Sequence, residues 1–92
     1  MEKFIYKTSG FFIRQFRHSK KYSLHYAATQ TGISKSKICK MENGQQEIDI
    51  VSFFKLTMLY DISVGAFWNL VEVEYYMKNT PPPQGNKKTL QK

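Results

Sequence analysis

Ser23 and Ser34 bracket Gly32, and this arrangement constrains the fold more than any other stretch of the chain. A serine hydroxyl accepts a hydrogen bond from an otherwise unpaired N–H in the first turn of a helix, so each serine is a natural helix start. A glycine just past a helix end takes the left-handed conformation without a Cβ clash. The sequence therefore predicts a short helix over 24–30, a stop at Gly32, and a second short helix over 35–43 ended by Asn43-Gly44. Helices joined by so few residues cross at a steep angle, which needs a small residue at the crossing and apolar anchors on the second helix. Ala28, Ile33, Ile38 and Met41 meet those needs, and the spacing Ala28-x3-Gly32-x5-Ile38, with Met41 three further on, is specific.

The rest of the pattern is also helical. Phe12, Ile13, Phe16 and Arg17 recur at three-to-four spacing behind Thr8-Ser9, two good N-cap residues. The residues before them, 1–8, with Phe4, Ile5 and Tyr6, read as an N-terminal arm or a short strand. Asp49 caps a fourth helix carrying Ile50, Phe53, Phe54, Leu56, Thr57 and Leu59, and Ser63 caps a fifth reaching about Met77. Val71-Glu72-Val73-Glu74-Tyr75 also alternates as a half-buried pairing strand does, so a strand over 71–77 stands as the alternative to helix. Three consecutive prolines, Pro81 to Pro83, cannot continue a helix, and the polar, lysine-bearing residues around them predict a flexible tail over 79–92. The expected architecture is all-α, five helices in one domain over 9–78, the last helix extended.

Composition narrows the function. No apolar run exceeds three residues, whereas a membrane span needs about 18, so no membrane partner is expected. A lone cysteine, Cys39, makes neither an internal disulfide nor a Cys-rich zinc site. No nucleophile–base pair, metal-ligand cluster or Gly-rich phosphate loop stands out, and neither enzymatic activity nor a cofactor is expected. The charge is uneven: 1–44 hold seven Lys and two Arg against Glu2 and Glu42, 45–80 are net acidic, and the tail is basic again. That distribution suggests an anion-binding side and a separate side for something else; scattered lysines on a solvated surface are the plainer alternative.

From Gly10 to Trp68 the sequence resembles the lambda-repressor-like (XRE/Cro) helix-turn-helix DNA-binding family. The resemblance is densest from Ser23 to Gly44, above all in Ile33-Ser34-Lys35-Ser36 and Met41-Glu42-Asn43-Gly44. Phe53-Phe54-Lys55-Leu56 and Ile62-Ser63-Val64 match the family's fourth and fifth helices. Ile48 stands where a proline is common, Asp61 where a glycine usually ends the fourth helix, and Ala27 where leucine is usual.

At about 100° per residue, Lys35, Ser36, Cys39 and Lys40 share one face of the third helix, with Ile38 and Met41 opposite and Lys37 on the flank. Two lysines in the first turn oppose the helix dipole by ~0.3–1 kcal/mol each, a cost an anionic partner reverses. The resemblance implies base reading by Lys35, Ser36 and Lys40 in the major groove of double-stranded DNA. Lysine donates to guanine O6 or N7, so a guanine-containing half-site is expected. It implies backbone contacts from Ser23, Leu24, His25 and Lys37 on one flank and from Asn43 and Gln45 on the other, although His25 serves equally as a plain surface residue. It also implies an ion pair between Arg17 and Glu42, worth ~3–5 kcal/mol to break if buried and ~0–1 kcal/mol if exposed. Cys39 lies beside the groove-facing lysines, and a redox-sensing role has no second cysteine to support it.

Family members act mostly as dimers on inverted repeats. A homodimer interface is expected on the fifth helix, from Phe67, Trp68, Leu70, Val71 and Tyr75; closure of the monomer core is an equal use for the same residues. The implied function is a sequence-specific transcriptional regulator, a repressor, in the cytoplasm of a bacterium and of bacterial or phage origin. The alternative is an antitoxin that neutralises a partner toxin through its C-terminal part and autoregulates its operon.

Overall fold

The structure is a computed structural model, and it describes residues 1–79. Five helices make up this part: α1 (Glu2–Ser19), α2 (Leu24–Thr31), α3 (Lys35–Glu42), α4 (Ile50–Leu59) and α5 (Val64–Asn79). No strand occurs among the described residues, and 71–77, where pairing was the alternative, is helix. Of the expected tail over 79–92, only Asn79 is described, as the last residue of α5; the remainder lies outside the described residues.

Four of the five predicted caps are made. Ser23 Oγ accepts from the Tyr26 N–H at 2.9 Å, Ser34 Oγ from Lys37 at 3.1 Å, an Asp49 carboxylate oxygen from Ser52 at 2.9 Å and Ser63 Oγ from Ala66 at 3.1 Å. Gly32, at φ 76°, ends α2 in the left-handed conformation, its N–H bonded to the Ala28 carbonyl. Helix α4 ends the same way on a residue less suited to it. Asp61 takes φ 59°, with its N–H on the Met58 carbonyl and that of Ile62 on Thr57. An aspartate here fills a turn that glycine enters without strain.

The expected N-terminal arm over 1–8 is corrected by the structure: α1 begins at Glu2, and Thr8 and Ser9 lie inside it rather than capping it. Phe4, Thr8, Phe12 and Phe16 form an unbroken i, i+4 row, flanked by Ile5, Ser9 and Ile13. The row has a partner in α5. Phe4 meets Tyr75 edge-on at 5.5 Å, and Phe12 and Phe16 meet Phe67 at 6.2 and 6.0 Å. Burial against α5 outweighs the preference of serine and threonine for helix ends.

Phe67 is the hub of the core, 1% exposed, with Phe53 of α4 edge-on at 4.8 Å. Val71 is 4% exposed. These two cannot serve the expected dimer interface, because their side chains are consumed inside their own chain. Tyr75 and Leu70 are half-buried, and of the five expected interface residues Trp68 alone is open to solvent.

Helix α1 also packs on α3, and here the backbones nearly touch. A Cβ at Gly10 would collide with the Met41 carbonyl oxygen and stand 2.8 Å from that of Glu42. Gly32 is the opposite case: its φ is unfavourable for other residues, but a Cβ there meets nothing within 4 Å. Gly10→Ala is therefore expected to cost about 3 kcal/mol through overpacking against rigid backbone. Gly32→Ala should cost only about 1 kcal/mol, from backbone conformation alone. Urea unfolding of both variants checks the order.

Candidate nucleic-acid interface

Helix α3 turns the predicted sides inward and outward. Ile38 and Met41 are fully buried, whereas Lys35, Ser36, Cys39 and Lys40 are exposed. Among the described residues, neither Lys35 nor Lys40 enters an ion pair. The face therefore offers two ammonium groups, a hydroxyl and a thiol on one outward strip. Asn43 is exposed at the end of α3, its side-chain amide 3.6 Å from the Cys39 sulfur, and exposed Gln45 follows with its N–H on the Lys40 carbonyl.

The turn before α3 is held from within. Thr31 is buried; its hydroxyl donates to the Ala27 carbonyl at 2.7 Å and accepts from the Ile33 N–H at 3.2 Å. One side chain thus ties the end of α2 to the entry of α3. Sequence reasoning missed it, although a threonine directly before a stop glycine is a usable signal.

The start of α2 lies at the opposite end of that helix from the turn. Ser23 and His25 are exposed, while Leu24 is half-buried and packed on the core, so only its backbone can meet a ligand. The N–H groups of Leu24 and His25 precede the first intrahelical bond, which Ala27 makes to Ser23. Two donors and the Ser23 hydroxyl hydrogen are therefore free to bind an anion.

Lys37 departs from its expected part. It is half-buried, and its ammonium lies 2.8 Å from an Asp49 carboxylate oxygen. The pair links the first turn of α3 to the N-cap of α4, so the Lys37 ammonium is engaged by a carboxylate rather than unpaired. The bond from Lys37, followed by that from the Ser52 N–H, holds the Asp49 carboxyl well below the usual carboxylate range.

Arg17 and Glu42 form the expected pair, and it is buried: their side chains are 9% and 4% exposed. Arg17 Nε and Nη2 donate to the two carboxylate oxygens at 2.8 and 3.0 Å, and Nη1 donates to the Tyr22 carbonyl at 2.9 Å. The fork joins α1, the α1–α2 loop and the last residue of α3. The hydrogen bond to Glu42 raises Arg17 above its ordinary pKa. Tyr60, buried nearby with its hydroxyl unpartnered, is pushed well up by burial and then by the Glu42 charge.

Among the described residues, no group of three His, Cys, Asp or Glu side chains is placed to hold a metal ion, and no single helix is long and apolar enough to cross a membrane. Compared with known proteins, the chain matches no protein-family profile and no curated protein at a significant level of similarity.

Three outcomes check this geometry. Glu42→Gln leaves the Arg17 guanidinium buried beside a neutral partner and is expected to cost ~3–5 kcal/mol. Arg17→Met combined with Glu42→Leu should recover most of that loss in chemical denaturation. Asp49, with its folded-state pKa depressed, contributes stability that is full above about pH 4 and is lost as the pH falls below it. Asp49→Asn keeps the cap but not the charge. Its urea midpoint should therefore fall less than that of the parent between about pH 4 and pH 2.

Proposed function

We propose that the chain is a sequence-specific DNA-binding transcriptional regulator of the lambda-repressor-like helix-turn-helix kind, acting as a dimeric repressor on an inverted repeat. The observation that carries this reading is the polarity of α3: an apolar side fully buried in Ile38 and Met41, and an opposite side that presents Lys35, Ser36 and Lys40. A short helix held rigidly with cationic and hydroxyl donors outward suits the major groove, where base edges offer acceptors. The free N–H groups at the start of α2 and the exposed Asn43 and Gln45 suit flanking phosphates, which set register.

Selection of bound duplexes from a random pool tests the reading directly, with guanine expected in each half-site. Lys35→Ala with Lys40→Ala should weaken binding to the selected duplex by about 30-fold, taking ~1 kcal/mol per lost base contact. A protein indifferent to every duplex at low ionic strength sinks the proposal.

One observation favours a second reading, the antitoxin-type module. The far end of α5 exposes Val73, Tyr76 and Met77, the last at 77%. An apolar helix end of this kind suits a protein partner, and a truncation after Glu72 that spares operator binding but abolishes neutralisation of a partner toxin would decide for it.

A further inference from the structure

Ile50, Phe54 and Met58 follow one another along the outer side of α4 at i, i+4 spacing, with Val51 beside them. Their exposures are 81%, 55%, 62% and 59%. Val64 and Trp68 of α5, 38% and 41% exposed, extend the patch. The six side chains leave on the order of 600 Å² open, close to the roughly 800 Å² per partner of a standard protein interface.

The same patch contains a hollow. A groove of about 320 Å³ lies between α1 and the N-terminal ends of α4 and α5, walled by Ile5, Ile48, Phe53 and Trp68, and Ile50 and Phe54 stand on its rim. Among the described residues, no charged side chain lines it. A hollow by itself suits a small ligand, but a ligand of that volume would leave Val51 and Met58 uncovered. A patch that carries both a hollow and apolar knobs can pair with a copy of itself, which is the requirement of a twofold interface. Lys55, exposed one turn on from Val51, puts a single cation at the edge of the patch, where its ammonium can stay in water at the rim of an interface.

We infer that the outer face of α4, with Val64 and Trp68, is the surface on which a second copy of this chain docks, the knobs of each protomer entering the groove of the other. The inference rests on the dimeric reading proposed above and moves the interface from the inner side of α5 to α4.

The test is the mass of the full chain in solution by light scattering and sedimentation equilibrium. The unaltered chain is expected to be a dimer. Val51→Glu with Met58→Glu changes two exposed side chains, so the fold, followed by circular dichroism and thermal melting, should persist while the dimer dissociation constant rises at least about 30-fold. Tyr76→Glu with Met77→Glu, at the far end of α5, should remain dimeric. A chain monomeric at several hundred micromolar (~3 × 10⁻⁴ M) overturns the inference. So does a Val51/Met58 variant that still dimerises, or native mass spectrometry showing a monomer with a small molecule in the groove. Binding to a single-half-site duplex is measured separately by anisotropy. Dimerisation lost in the α4 variant with half-site binding kept supports both readings; the expected masses with no duplex bound support the interface and remove the DNA reading.

Discussion

The buried fork between Arg17 and Glu42 is the interaction on which the presentation of α3 depends. A helix of eight residues is far too short to be stable alone, so its existence and its direction both come from what it packs against. Ile38 and Met41 supply the attraction but little direction, because apolar contact is not directional. Direction comes from the fork at one end and from the Lys37–Asp49 strap at the other. Paired apolar residues could stabilise the Arg17–Glu42 position equally well. They would not fix the α3 terminus against α1 and the Tyr22 carbonyl with three hydrogen bonds.

Close approach makes the fork possible. Gly10 lets the backbone of α1 ride against the Met41 and Glu42 carbonyls, and without that contact the guanidinium, two helical turns further along α1, would not reach the Glu42 carboxylate with both arms. The arrangement carries a local penalty: the Tyr60 hydroxyl lies buried near the fork with no partner among the described residues. The bonds the fork makes on all sides offset it.

Much of this was legible in the sequence because the signals were local. Ser23, Gly32, Ser34, Asp49 and Ser63 each act within three or four residues of themselves, and the helix starts and stops they predict are the ones observed. The inward and outward sides of α3 follow from helical periodicity alone. What escaped prediction depends on distant partners. Thr8 and Ser9 look like a helix start until α5 is present to bury the row from Phe4 to Phe16. Lys37 looks like a free flank cation until Asp49, twelve residues on, is brought beside it. Gly10 carries no sign that a backbone lies against it.

The length of α1 decides which surfaces remain for anything outside the chain. Had α1 begun at Thr8, the aromatic side of α5 would have been open along Tyr75, and the fifth helix would have been the natural place for a partner. With α1 starting at Glu2, Phe4 occupies that position and the inner side of α5 is closed. The longest run of exposed apolar side chains falls on α4 and its junction with α5, and a second group, Val73, Tyr76 and Met77, lies at the far end of α5. The added stretch 2–7, about 1.7 helical turns, thus decides which apolar surface of α5 is covered. Lys35, Ser36 and Lys40 stay exposed on α3, while the apolar run from Ile50 to Met58 belongs to α4, so each surface is built from its own helix.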